Sequence, residues 1–185
     1  VTGLVSYEIN PSLRLSSTSA FRRFESLEIF DADGFSLPLF VFAEDARGDQ
    51  YSQELRINYD SGKRLSAFAG VGYFYEDGSQ AVPLQYNERV FAARSNPALA
   101  AQLGFVAPNV PSLQAINALP ALSAYKLVHR ETFQNYGRTT SYDVFADATY
   151  KVTEAFEVSA GLRYSSDDKR SGYRGTLDNG GSVFT

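Results

Sequence analysis

Phe156-Glu157-Val158-Ser159-Ala160-Gly161-Leu162-Arg163-Tyr164 decides how the rest of the chain is read. Phe156, Val158, Ala160, Leu162 and Tyr164 recur every second residue, against Glu157, Ser159, Gly161 and Arg163. A period of two is the mark of a strand with one apolar and one polar face. The run before it repeats the pattern, with Tyr142, Val144, Ala146, Ala148 and Tyr150 opposite Asp143, Phe145, Asp147 and Thr149. Only Phe145 breaks the rule. Residues 151–155 are short enough to make the two runs a hairpin.

Working outward, Tyr51, Gln53, Leu55, Ile57 and Tyr59 alternate with Ser52, Glu54, Arg56 and Asn58. A Ser61-Gly62-Lys63 turn follows. Leu65, Ala67, Ala69, Val71, Tyr73 and Tyr75 then oppose Ser66, Phe68, Gly70, Gly72, Phe74 and Glu76. At the front, residues 1–9 lead through Asn10-Pro11-Ser12 to a strand carrying Leu13, Leu15 and Phe21 opposite Arg14, Ser16, Thr18 and Arg22. The expectation is an all-β, antiparallel segment of about six strands in three hairpins. The hairpin turns are short. The connections between hairpins, residues 26–48 and 77–127, are long.

That rhythm separates two solutions. Soluble sandwiches keep their connections short, whereas bacterial membrane barrels have short periplasmic turns and long outer loops. The turns at Pro11, Gly62 and Thr153 are then expected on the periplasmic side. Tyr at strand ends suits an interfacial girdle, and the many Ala suit lipid contact better than a thick core. A soluble β-sandwich module that binds a ligand such as a carbohydrate is the alternative reading. Within the second long connection, residues 95–104 and 111–119 are expected to form short helices, each with a Pro near its start.

Composition narrows the function. The 185 residues include 12 Tyr and 14 Phe but no Trp, Cys or Met. Mean hydropathy is −0.24, and no stretch approaches the ~18 apolar residues of a membrane helix. Net charge is −4, without the basic stripe of a nucleic-acid binder. With one His and no Cys, a zinc site is not expected. His129 is read as a loop or strand-end residue rather than a catalytic one, and no enzyme activity or cofactor is expected. Asp31-Ala32-Asp33-Gly34 starts like a calcium loop but lacks the later ligands. Arg47-Gly48-Asp49 and Asp167-Asp168 read as turn and loop residues.

Gln50-Tyr51-Ser52-Gln53-Glu54-Leu55-Arg56-Ile57 followed by Ala69-Gly70-Val71-Gly72-Tyr73-Phe74-Tyr75-Glu76 resembles the barrel of TonB-dependent receptors. Residues 141–150 and 156–168 are similar to a second strand pair of that family, and Ser19-Ala20-Phe21-Arg22-Arg23-Phe24 to a third element. The matches touch five of the six expected strands, in order. The resemblance implies a barrel of about 22 strands with a plug domain and a periplasmic box engaging TonB. Neither plug nor barrel C-terminus is recognised, so residues 1–185 are expected to be an internal part of such a barrel, in the outer membrane of a Gram-negative bacterium. The implied partners are outer-membrane lipid, the TonB system through the missing plug, and a small-molecule ligand such as an iron–siderophore complex.

Candidate ligand-binding residues follow. Arg22, Arg56 and Arg163 lie on polar faces. There they either attract anionic ferric complexes or pair with Glu54, Asp147 and Glu157 along the wall. Aromatic loop residues such as Phe35 and Tyr136 either grip a ligand or fold the loops into caps.

Overall fold

The computed structural model describes every residue except 32, 35, 38, 106–109 and 185. Its strands are β1 (Thr2–Asn10), β2 (Leu13–Asp31), β3 (Phe40–Asp60), β4 (Leu65–Tyr86), β5 (His129–Lys151) and β6 (Glu157–Leu177). Between β4 and β5 stand α1 (Glu88–Ser95), α2 (Pro97–Leu103), α3 (Leu113–Ala118) and a single 3₁₀ turn at Pro120–Leu122. The strands form one antiparallel sheet in the order β1-β2-β3-β4-β5-β6. Among the described residues there is no second sheet, which a sandwich would need.

Each turn has a local cause. Asn10 Oδ1 accepts from the Ser12 amide at 2.9 Å, and Asp60 Oδ1 from the Gly62 amide at 2.8 Å. Such side-chain bonds close the chain back on itself. Gly62 takes φ +67°, a conformation that suits Gly.

The strands exceed the sequence expectation. Residues 26–31 extend β2, residues 40–48 begin β3 and residues 77–86 extend β4, so the predicted connections shrink to residues 32–39 and 87–128. The reason is that backbone ladders do not depend on side-chain alternation. Phe40-Val41-Phe42-Ala43 is apolar on both faces, so it is invisible to a period-two test yet pairs normally. Both expected helices are present as α2 and α3. Asn96 caps α2 by accepting from the Ala98 and Leu99 amides, and Gly104 closes it at φ +72°. The sequence reading missed α1, whose cap is Asn87.

The chain divides into two compact units. The first comprises residues 1–25, 47–79 and 136–172. Its faces sort as the sequence proposed. Val5 faces Ser17 and Tyr7 faces Leu15 across the β1–β2 ladder, and directly opposed residues share a face. On the apolar face, Tyr142 is 58% exposed, Val144 57% and Leu162 78%. One spacing recurs there. Leu13 and Phe21, Tyr51 and Tyr59, Leu65 and Tyr73, Tyr142 and Tyr150, and Phe156 and Tyr164 are each eight residues apart. Eight residues span about 26 Å of strand at ~3.3 Å each. At a tilt of about 40° the height is about 20 Å, close to the ~25 Å apolar band of a membrane barrel. At one end Tyr51, Tyr73 and Tyr142 form a row, with ring centroids 6.1 and 5.3 Å apart.

The opposite face needs space for large side chains lying against the wall. A Cβ on Gly70 would meet the Phe145 ring and stand 2.7 Å from the Leu55 carbonyl oxygen. That oxygen belongs to the backbone and cannot move aside. Gly70→Ala is therefore expected to destabilise the sheet by about 1–3 kcal/mol, the usual cost of overpacking. Denaturant unfolding in detergent micelles measures this, and Ser66→Ala on the same strand is the near-neutral control.

The second unit comprises residues 26–46, 80–135 and 173–185. Its core is Leu37, Leu39, Val90, Ala92, Ala93, Ile116 and Leu122, with Phe91, Leu103, Phe105 and Tyr125 packed around it.

Candidate functional site

In the first unit, the polar face gathers cations onto aromatic rings. The Arg56 guanidinium lies 3.7 Å from the Phe68 ring centroid. Phe68 meets Phe145 edge-on at 6.1 Å, and Arg163 sits 6.0 Å from the Phe145 ring. A desolvated cation–ring contact contributes up to about 2 kcal/mol, a wet one about 0.5–1. Arg163 donates to Asp143 Oδ1 at 2.9 and 3.2 Å, and Ser165 Oγ donates to the same oxygen at 2.7 Å. Arg163 is thus a wall-paired cation. Its partner is Asp143, not Asp147 or Glu157 as the sequence suggested. Arg56 differs. It forms no ion pair among the described residues, and its Nε is buried without a hydrogen-bond partner. Phe145, the exception to alternation, is what Arg163 leans on.

Arg22 shares this face through its alternation with Thr18 and Ala20 on β2, and it is exposed. A cavity of about 700 Å³ lies nearer the turn end, lined by Glu8, Arg14, Ser16, Glu54, Arg56 and Asn58. Glu8 and Arg14 pair across its mouth at 2.7 Å. Three of the proposed cations therefore share one polar, water-accessible surface. Tyr136 does not join them. It has the parity of Tyr142 and Val144, and it packs against Gly172. Phe35 lies outside the described residues.

The opposite, apolar face holds one polar cluster. Gln53 Nε2 donates to Ser17 Oγ at 2.9 Å and to the Glu54 carbonyl at 3.2 Å. Its Oε1 accepts from Ser19 Oγ and from the Tyr51 hydroxyl. All four bonding positions of the amide are filled. This lets a polar side chain sit among Leu15, Leu55 and Phe21 without an unmet bond.

In the second unit Glu88, Lys126 and Glu131, which the sequence reading did not single out, gather around His129, which it read as a loop or strand-end residue. His129, fully buried at the start of β5, has Glu131 Oε1 2.8 Å from Nε2 and Glu88 Oε1 3.7 Å from Nδ1. Glu88 Oε2 accepts from the Lys126 amide at 2.7 Å. The Lys126 ammonium, 3.5 Å from His129 Nδ1, donates to the carbonyls of Asn179, Gly180 and Gly181 at 2.7–2.9 Å. Arg89 binds α1 to the loop by donating to the carbonyls of Tyr125, Asn117 and Ser123. No spacing rule links residues 88, 126, 129, 131 and 179–181, so only the fold brings them together. Nε2 of His129 thus faces Glu131, and Nδ1 faces both Glu88 and the Lys126 ammonium, which ties the start of β5 to α1 and to the segment before β5. Asp31 Oδ1 accepts from the Asp33 amide, and Asp33 Oδ2 from the Phe40 amide, so these carboxylates brace a loop. No metal-holding cluster occurs among the described residues.

No family model matches the chain, and no curated protein matches it. Among solved structures it is similar to the ferric yersiniabactin uptake receptor FyuA of Yersinia pestis, with a TM-score of 0.58 and 14% identity over 96% of this chain. The chain covers 21% of that structure, about a fifth of its length. At this identity the likeness concerns the fold alone. CarO of Acinetobacter baumannii aligns over 98% of this chain and 77% of its own at 9% identity, but its TM-score of 0.30 is too low to bear on the argument.

One titration follows from the second unit. Burial pushes the Tyr86 hydroxyl above its ordinary value of 10.0, and the charges of Glu131 and Glu88 add to this against the opposing pull of Ser182. The raised value means the stabilisation is complete below pH 10 and is lost as pH rises through the folded value. Tyr86 is therefore expected to ionise after the exposed tyrosines, together with melting of this unit. Tyr86→Phe should remove that late step from the ultraviolet titration.

Proposed function

We propose that the chain forms part of the wall of an outer-membrane, TonB-dependent receptor in a Gram-negative bacterium, taking up a scarce nutrient such as a ferric siderophore. The observation that carries this reading is the eight-residue spacing of aromatic or aliphatic pairs along five strands of one face. That face meets lipid, and the opposite face meets a water-filled lumen. The turns at Pro11, Gly62 and Thr153 lie in the periplasm, and the helix-bearing connection lies outside the cell.

Arg22, Arg56 and Arg163 then line the lumen. Arg163 is neutralised by Asp143, whereas Arg56 keeps its charge unpaired and is the residue that draws an anionic complex inward. Tyr136 acts elsewhere. The likeness to a ferric-complex uptake receptor agrees with an iron chelate as cargo. Transport needs no covalent chemistry and no resident cofactor. Energy comes from TonB through a plug region belonging to the rest of the protein.

The test is uptake of a radiolabelled ferric siderophore by cells producing the full-length protein. Uptake should require the protein, stop when the proton-motive force is collapsed, and fall several-fold in Arg56→Ala. Uptake that survives collapse would identify a passive porin and sink the receptor reading. Uptake unchanged by deleting the gene would remove the iron cargo.

A further inference from the structure

Residues 178–184, which follow β6, fold back onto the helical connection inside the second unit. Asp178 prolongs the β5–β6 ladder by donating its amide to the Arg130 carbonyl at 2.9 Å. Asn179 Oδ1 accepts from the Arg130 amide at 2.9 Å, and its Nδ2 donates to the Val128 carbonyl at 2.8 Å. Gly180 then turns the chain at φ +83°, a left-handed conformation that suits Gly. Ser182 hydrogen-bonds the Tyr86 hydroxyl at the end of β4. At the far end the Phe184 ring stacks on Tyr125, with centroids 5.6 Å apart, and meets Phe91 of α1 edge-on at 4.8 Å.

Lys126 fastens this fold-back. An ammonium has three N–H groups, and those of Lys126 meet the carbonyls of Asn179, Gly180 and Gly181 at 2.9, 2.8 and 2.7 Å. Its own amide donates to Glu88 Oε2 in the first turn of α1 at 2.7 Å. One residue therefore holds α1 through its backbone and residues 179–181 through its side chain. Hydrogen bonds from a charged donor are roughly twice as strong as neutral ones. Lifting residues 178–184 away would strip the ammonium of all three carbonyls and leave it beside the buried ring of His129, 3.5 Å from Nδ1. It would also bare Tyr125 and Phe91 to water. Both losses oppose separation.

We propose that residues 178–184 are a strap, pinned by Lys126, that locks the connection after β6 to the helical connection before β5, so that the two form one cap and stay joined while the protein works. On the membrane-wall reading both connections lie outside the cell. Cargo then meets one preformed surface, not two loops that part and close around it. That functional consequence rests on the wall reading, whereas the strap itself does not, and the test separates the two.

The strap is tested in the full-length protein in detergent micelles, with spin labels on the exposed positions Gln102 of α2 and Val183 of the strap. Pulsed electron resonance should give one narrow distance distribution in the parent. Lys126→Met should broaden it and raise hydrogen exchange across residues 178–184 about tenfold, the effect of losing one charged hydrogen bond. Phe184→Ala, which leaves the buried charges in place, should broaden it as well. A broad distribution in the parent, or two variants as narrow as the parent, would overturn the strap. The cap is tested by joining Tyr125→Cys to Phe184→Cys with a short bismaleimide in cells that take up the ferric siderophore. Uptake should be unchanged by the link. Uptake that stops on joining would show that the two connections must part, and would overturn the single cap. Cells that take up no siderophore before joining would count against the receptor reading, and the distance measurement would still decide the strap.

Discussion

An apolar face must be covered, and no described residue covers this one. Leu55, Ile57, Val71, Val144, Val158 and Leu162 are each between 38% and 78% exposed. Full burial of such a side chain contributes roughly 1.5–3 kcal/mol. Leaving about half of that unrealised on six residues forgoes an amount comparable to the whole stability of a domain, about 5–15 kcal/mol. A hydrocarbon surround removes the penalty. The alternative of a second sheet packed on this face is not offered by the chain's own strands, which all lie in one sheet.

That constraint orders the rest of the first unit. Hydrocarbon tolerates no unmet hydrogen bond, so Gln53 fills all its bonding positions with Ser17, Ser19, Tyr51 and the Glu54 carbonyl. Charges on the apolar face are held to its rim, where Arg23–Asp49 and Arg138–Asp77 pair beyond the tyrosine row. The opposite face faces no such limit. It carries Arg56 unpaired, stacked on Phe68, and Arg163 shared between Asp143 and Phe145. A surface that keeps a charged, wettable lining on one side and a dry one on the other is what the wall of a membrane β-barrel requires.

The alternation at residues 142–150 and 156–164 made the strand type, the facing of each residue and the turn positions legible, because sorting between two media imposes a period of two. The caps of α2 were legible for a different reason: Asn96, Pro97 and Gly104 act on their own neighbours. Strand length was not legible, since stretches such as Phe40-Val41-Phe42 pair through the backbone without sorting their side chains. Nor were pairings across strands. Arg163 was placed on the correct face but assigned the wrong carboxylate, because parity fixes a face and only register fixes a neighbour. The Glu88–His129–Glu131–Lys126 group was hidden for the same reason, with its members up to 43 positions apart.

The two faces of β5 carry the whole account, and an accessibility scan tests them most directly. The chain has no Cys, so a single Cys can be placed at each position from Tyr142 to Tyr150 in the full-length protein, spin-labelled and reconstituted in vesicles. Collision with oxygen reports lipid, and collision with a water-soluble nickel chelate reports the lumen. The account predicts high oxygen access at 142, 144, 146, 148 and 150 and high nickel access at the intervening positions. Uniform access along the strand, or nickel access at the even positions, would contradict it.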